Sequence, residues 1–259
     1  MNNTIKVFVV GDCHTARIYG QHINAHLDPV EDITSEYPSY EQKHSKLLIG
    51  TNIEVNFWGY PGFKCFGMDL QENIFQNTLS TETEDGYDLP GITDNIEFRF
   101  GISRIKEADL IMPWLGYVDC RNWLPKYKNT KMVVSEYVQS FSMLFPDKKI
   151  RYIEPFPQFK DLNTHGYFDQ SYDTKLKYDK EFRDYLSEYS KEYNYLPPIS
   201  QDIVYSAVKS EILSAEFCRE GNQDIHKGTT LDALKFEYNK LVYQNLSEEI
   251  KKTVDQLFK

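Results

Sequence analysis

Short apolar runs alternate along the chain with longer segments in which apolar residues recur every three or four positions. A short continuous apolar run is typical of a strand that is buried on both faces of a parallel sheet. Four such runs predict strands at residues 6–10, 53–58, 108–115 and 149–155.

The longer segments have the spacing of amphipathic helices, whose apolar side chains lie on one face. They predict helices around residues 134–144, 182–193, 204–215 and 231–242. Strands that alternate with helices indicate a parallel sheet with helices on both faces. We therefore expect one α/β domain over residues 1–259, a three-layer α/β/α sandwich with a parallel sheet of about five strands. An irregular stretch rich in aromatic residues leaves room for a substrate-facing insertion at about residues 156–200.

The charge balance narrows the classes of partner. The 259 residues carry a formal net charge of −10, and the sequence pI is near 5.1. Phosphate backbones and anionic lipids are bound by basic surfaces, so we expect neither nucleic acid nor a membrane as a partner. The first residues do not have the pattern of a signal peptide, and no apolar run approaches the roughly 20 residues of a membrane span. We therefore expect a cytoplasmic protein.

The cysteines are widely spaced and form no Cys-x-x-Cys pair; they are Cys13, Cys65, Cys120 and Cys218. This spacing favours reduced thiols over a disulfide framework or a zinc site. Cys13 differs from the others because Gly-Asp-Cys-His, at residues 11–14, directly follows the first predicted strand. A sharp turn from strand to helix there would expose the sulfur at the carboxyl end of the sheet, beside backbone N–H groups that favour a thiolate.

Two further segments carry polar residues at places where loops between strands and helices are expected. The first, residues 114–122, ends an apolar strand, and the second, residues 221–226, precedes the last helix. Because the carboxyl ends of parallel strands lie at one edge of the sheet, all three segments are expected to meet there.

The order of these segments resembles the four blocks of the SGNH (GDSL-type) hydrolase family. Gly-Asp-Cys at residues 11–13 matches the Gly-Asp-Ser block with cysteine in place of serine, and Gly62 matches the lone glycine of the second block. The Gly-x-Asn-Asp block matches residues 116–119, except that Val118 replaces asparagine. The Asp-x-x-His block ends at His226, with its aspartate two residues earlier instead of three.

This resemblance implies a flavodoxin-like strand order and a hydrolase or acyltransferase that acts on an ester without a cofactor. The substrate is expected to be a small-molecule or glycan ester, an O-acetyl group being one example. Cys13 is the implied nucleophile, His226 the base that takes its proton, and Asp224 the carboxylate that orients His226.

The resemblance also implies donors for the oxyanion of the reaction. The backbone N–H groups of Cys13 and Gly62 are two of them. The family's third donor is an asparagine side chain, which Val118 cannot replace, and Asn122 is the nearest substitute in the sequence. Asp12 completes the expected substrate-binding set, where it braces the loops.

Two other interpretations use the same residues. Asp12-x-His14 also resembles the first metal block of calcineurin-like metallophosphoesterases, with Asp12, His14 and His226 as ligands of two metals. In that family's later blocks, however, Tyr117 stands where the bridging carboxylate belongs and Gln223 stands where a histidine belongs. The other interpretation is a non-catalytic SGNH-like module that binds a glycan or a protein. The aromatic residues of segment 152–159 would then stack on sugar rings.

Overall fold

The described part of the chain folds around a six-stranded, mostly parallel sheet. The structure is a computed structural model, and it describes residues 4–12, 15, 27–29, 44–60, 65, 105–155, 158, 171–202 and 232–258. The strands are β1 (Ile5–Asp12), β2 (Leu27–Pro29), β3 (His44–Ile49), β4 (Ile53–Tyr60), β5 (Leu110–Trp114) and β6 (Lys149–Ile150). Their spatial order is β2-β3-β4-β1-β5-β6.

Four helices belong to the described part of the chain. They are α1 (Leu124–Tyr127), α2 (Thr130–Leu144), α3 (Tyr172–Glu192) and α4 (Asp232–Phe258), and a π-helical turn, Asp119–Trp123, precedes α1. The sequence correctly predicted α2, α3 and α4. The helix predicted around residues 204–215 lies outside the described residues. Of the helices that are described, none is long and apolar enough to cross a membrane.

The two faces of the sheet pack against different helices, which gives the predicted three layers. Side chains alternate along β1, so that Phe8 and Val10 face one side while Val7 and Val9 face the other. The first side packs against α2 and α3 through an aromatic cluster that includes Tyr137, Phe141, Tyr152 and Phe182. The second packs against α4 through Leu246, Ile250 and Val254. The expected α/β/α sandwich is thus confirmed.

The strand order places β1 at the centre of the parallel part of the sheet. β1 pairs in parallel with β4 on one side and with β5 on the other, and β5 pairs in parallel with β6. The chain thus goes from β1 to a neighbour on one side and then to a neighbour on the opposite side. In open α/β sheets, the crevice beyond the carboxyl ends of the strands at such a switch is the usual ligand site.

Two features differ from the expectations. The antiparallel strands β2 and β3 extend the sheet beyond β4, so its described part has six strands instead of about five. Neither has the continuous apolar run that marks a parallel strand. Helix α3, which falls within the expected insertion at 156–200, belongs to the core: the ring of Phe182 lies 6.3 Å from that of Tyr137, centroid to centroid.

Candidate active site at the carboxyl edge of the sheet

Thr15 lies close to the carboxyl end of β1, at the switch in strand order. Thr15, already helical and fully buried, packs so closely on Gly11 that a Cβ at Gly11 would collide with its hydroxyl. The same Cβ would also lie 2.5 Å from the carbonyl oxygen of Trp114 in β5. Only glycine therefore fits at this position, where Thr15 lies against the strand.

A second glycine shapes the end of β5. Gly116 has φ +109°, a conformation that L side chains rarely adopt, and a Cβ there would lie 2.7–2.8 Å from Phe182 and Pro155. The indole N–H of Trp114 donates to the carbonyl of Glu154, 2.9 Å away. These contacts hold the segment after β5 against α3 and against the segment after β6.

A buried carboxylate joins the segments that follow β4 and β5. Asp119 is fully buried, and its Oδ2 accepts the backbone N–H of Cys65 at 2.9 Å. Cys65 follows the end of β4 by five residues and is itself buried. Asp119 opens the π-helical turn, which is continuous with the segment after β5 because the N–H of Cys120 donates to the carbonyl of Gly116.

The two described cysteines, Cys65 and Cys120, are buried thiols that are not joined in a disulfide. Burial, together with the carboxylates of Asp179 and Asp119, raises the pKa of the Cys120 thiol well above its ordinary value. Its Sγ lies 3.7 Å from the carbonyl oxygen of Tyr178 in α3. Cys120 therefore stays protonated near neutral pH and behaves as a core residue.

One arginine contacts three carboxylates beside this edge. Arg183 in α3 donates from Nε to Asp179 Oδ2 at 3.1 Å, and its Nη1 lies 3.9 Å from Glu154 Oε2 and 3.6 Å from Asp202 Oδ1. Glu154 also accepts the backbone N–H of Gln201 at 3.0 Å. Burial nevertheless raises the pKa of Glu154 above its ordinary value, because the hydrogen bond and Arg183 offset only part of the desolvation.

The structure describes only some of the predicted site residues. Asp12 ends β1, opposite Tyr60 of β4, and Asn122 lies within the π-helical turn. The remaining predicted members lie outside the described residues: Cys13, His14, Gly62, Asp224 and His226. What the structure brings together at this edge, here called the frame, is the ends of β1, β4 and β5 and the Asp119–Cys65 contact.

Two side chains that the sequence analysis connected with the site pack against the core instead. Val118, at the position that asparagine has in the Gly-x-Asn-Asp block, is half-buried and packs against the apolar cluster beneath α4. Tyr152, expected in one interpretation to stack on sugars, is fully buried and donates its hydroxyl to the carbonyl of Val138 at 3.1 Å. That part of the sugar-stacking hypothesis is therefore wrong, since the ring fills the core.

The frame includes contacts that the sequence motifs do not indicate. Nothing in the local pattern marks Cys65 as the partner of Asp119, because the two residues are 54 positions apart. Likewise, Glu154 and Arg183 meet only through the packing of α3. Gln158 adds another such contact: it is buried and donates its side-chain N–H to the carbonyl of Tyr117 at 3.2 Å.

The described residues offer no support for a metal centre. Within residues 4–12, 44–60, 105–155, 171–202, 232–258 and the short pieces between them, no three histidine, cysteine, aspartate or glutamate side chains form a group that could hold a metal ion. Asp119, which lies in one of the phosphoesterase-like blocks, instead accepts a backbone N–H.

Three solved structures of esterases are distantly similar to this chain. No protein-family model matches the chain, and no curated protein matches its sequence. An aryl esterase of M. smegmatis has a TM-score of 0.48 at 15% identity, covering 96% of this chain and 99% of that chain. A mutant of an acetyl-xylooligosaccharide esterase from Geobacillus has a TM-score of 0.47 at 12% identity, covering 96% of this chain and 95% of that chain. A carbohydrate acetylesterase from Sinorhizobium meliloti has a TM-score of 0.41 at 12% identity, covering 74% of this chain and 82% of that chain. At these TM-scores and identities, the likeness does not extend to function.

Proposed function

We propose that the chain hydrolyses an ester, or transfers its acyl group, with Cys13 as the nucleophile. The observation that carries this proposal is the close packing of Thr15 on Gly11 at the switch in strand order. Cys13 lies between these two residues in the sequence, and the edge after β1 is where open α/β sheets usually bind ligands. Helical N–H groups at the same place favour a thiolate.

The surroundings of the two described cysteines, Cys65 and Cys120, support the choice of Cys13. Cys120 is fully buried with a raised pKa, so its thiolate is disfavoured. Cys65 is fully buried as well, and its backbone is bound to Asp119. Neither meets the requirement of a nucleophile, which must be accessible and readily deprotonated.

The proposed reaction has two steps that follow from the residue types. The imidazole of His226 takes the proton of the Cys13 thiol, and the sulfur attacks the ester carbonyl carbon. The N–H groups of Cys13 and Gly62 hold the oxyanion until the alcohol leaves with the proton from His226. Water, or an acceptor alcohol, then cleaves the thioester with His226 again as base, while Asp224 fixes the imidazole tautomer.

Turnover of an activated aryl acetate by the unchanged protein, by Cys13→Ala and by Cys13→Ser, with and without a chelator, tests this proposal. We expect Cys13→Ala to lose at least about 1000-fold in kcat while it remains folded, because the attacking atom is gone. His226→Ala should lose more than about tenfold. Cys218→Ala, a cysteine outside every motif, is the matched control and should keep the activity.

The result that would contradict the proposal is turnover by Cys13→Ala at the level of the unchanged protein. Turnover of a phosphate ester only in the presence of metal would instead favour the two-metal hypothesis. A chelator that leaves acetate hydrolysis unchanged would argue against that hypothesis.

A non-catalytic binding module is the second candidate, and one observation favours it. Val118 packs against the core, so the position at which the family has its third oxyanion donor serves packing here. Loss of one such donor typically costs about 100- to 1000-fold in rate. The rate at which Cys13 is alkylated near neutral pH, followed by mass spectrometry beside Cys218, separates the candidates. A catalytic thiolate reacts faster than an ordinary thiol.

A further inference from the structure

The carboxylate of Asp119 binds the backbone of Cys65, which follows the end of β4 by five residues. Its Oδ2 accepts the N–H of Cys65 at 2.9 Å, and both residues are fully buried. Cys65 is three residues after Gly62, to which the proposed function assigns an oxyanion N–H. The hydrogen bond therefore connects the segment after β5 directly to the segment expected to stabilise the transition state.

The burial of this carboxylate and its bond to a distant backbone N–H point to a requirement for position. A carboxylate loses its hydration when it is buried, and a neutral packed side chain at the same place often gives equal or greater stability. A charge-assisted bond, however, is short and directional, so it fixes the N–H group that it accepts. The anchor is also firm on its own side, because Asp119 opens a π-helical turn whose next N–H, from Cys120, donates to Gly116.

We propose that Asp119 is a positioning residue for the reaction at this edge. Through the N–H of Cys65, it holds the segment after β4 in the register that oxyanion binding needs. Asp119 does not touch the substrate in this role. The inference rests on the proposed function, and its test must therefore include one measurement that does not depend on turnover.

The test compares Asp119→Ala and Asp119→Asn with the unchanged protein by three measurements: kcat and KM for an aryl acetate, global stability, and hydrogen exchange of the Cys65 amide. A small displacement of a catalytic group can cost about 100-fold in rate. We expect Asp119→Ala to lower kcat by about 10- to 100-fold, to change KM by less than about threefold, and to speed exchange at Cys65. Asp119→Asn should retain much of the kcat and much of the protection of the Cys65 amide, since its amide oxygen can still accept the N–H.

Asp179→Asn is the matched control. Asp179 is equally buried and also faces Cys120, but its carboxylate binds Arg183 of α3. This variant should lose stability yet keep kcat within about twofold and keep the protection of the Cys65 amide. If Asp119→Ala does not fold, Asp119→Leu takes its place in the comparison with Asp179→Asn, since leucine fills a similar space but cannot accept the N–H of Cys65.

Two results would overturn the inference in distinguishable ways. If Asp119→Ala loses no more kcat than Asp179→Asn while the unchanged protein hydrolyses ester, the positioning role is wrong and the proposed function stands. If the unchanged protein hydrolyses no ester, the proposed function fails and the catalytic role of Asp119 fails with it. The exchange of the Cys65 amide then shows separately whether Asp119 anchors the segment, and unchanged protection in Asp119→Ala would exclude even that.

Discussion

The two edges of the sheet are held together by opposite kinds of contact. At the amino edge, the contacts lie near the surface: the backbone N–H of Lys6 donates to the Asp109 carboxylate at 2.8 Å, and the ammonium of Lys148 donates to the carbonyls of Lys106 and Ala108. At the carboxyl edge, buried charges replace them, and the fully buried carboxylates include that of Asp119. Stability alone does not explain this difference.

The physical cost of the contacts shows what the difference means. Exposed ion pairs contribute about 0–1 kcal/mol and can be exchanged with little effect. Buried charges cost several kcal/mol to desolvate and are strongly destabilising when one partner is removed. A buried carboxylate such as that of Asp119, at the edge where open α/β sheets usually bind ligands, fixes the position of the backbone N–H that it accepts, whereas the amino edge only needs to close the sheet.

Two glycines with positive φ show that the two edges also differ in how tightly the backbone is packed. Gly50, in the turn between β3 and β4 at the amino edge, has φ +64°, and no described atom lies within 4 Å of the position that a Cβ would take there. Gly116, at the carboxyl edge, has φ +109° and is crowded by Phe182 and Pro155. Gly50 is needed only for the conformation of its backbone, whereas at Gly116 there is also no room for a side chain.

The largest effect on stability is expected for Gly116→Ala. The added methyl group meets Phe182 and Pro155 below van der Waals distance, and the backbone conformation becomes strained. Overpacking costs about 1–3 kcal/mol and an unfavourable φ about 1–3 kcal/mol more, so we expect a loss of about 3 kcal/mol or more in the free energy of unfolding. Denaturant unfolding measures it.

Gly50→Ala is the control for Gly116→Ala because it keeps the backbone term and omits the collision. It should lose roughly 1–2 kcal/mol. Equal losses in the two variants would mean that crowding adds nothing at Gly116, and the contrast between the two edges would fail at that point.

An effect of intermediate size is expected from the pH dependence at Glu154. Burial raises the pKa of this carboxyl in the folded protein, so the folded state binds more protons than the unfolded state between the two pKa values. The contribution of Glu154 to stability is therefore full below the unfolded pKa, about 4.3, and is lost as pH rises through the folded pKa. Glu154→Gln removes this titration, so the unchanged protein should lose stability relative to the variant as pH rises through that window.

Denaturant midpoints of the two proteins, measured in parallel from acid to neutral pH, test the sign. The glutamine oxygen can still accept the N–H of Gln201, so the slope with pH is the informative quantity and not the constant offset. A difference that favours the unchanged protein more strongly as pH rises would show that Arg183 outweighs burial.

The sequence predicted most of the layers and only the outline of the site. The four parallel strands and three of the helices follow from local spacing, because each buries one continuous apolar run or one helical face. Strands β2 and β3 were missed because an antiparallel edge needs no such run. The same limit applies to Tyr152, whose aromatic neighbours in the sequence suggested an exposed platform although the ring lies in the core.

The contacts that shape the candidate site could not be predicted, for a related reason. Asp119 and Gly116 stand in a recognisable block, but the partners that explain them, Cys65 and Phe182, are more than fifty positions away. Local pattern carries no information on which distant segment will pack there. The assignment of Cys13 as nucleophile stays a prediction that rests on its place in the sequence, between Gly11 and Thr15, whose close packing the structure describes.

The smallest effect is expected for the ion pair of the amino edge. Lys6 Nζ lies 3.4 Å from Glu107 Oε2, and the two side chains are 43% and 48% exposed. Lys6→Gln, Glu107→Gln and the double variant form a cycle whose coupling energy we expect to be below about 0.5 kcal/mol, and smaller still in high salt, because water and ions screen the pair. A coupling above about 1 kcal/mol that persists in salt would mean that the amino edge also depends on strong electrostatics, and the difference between the two edges would then be one of burial alone.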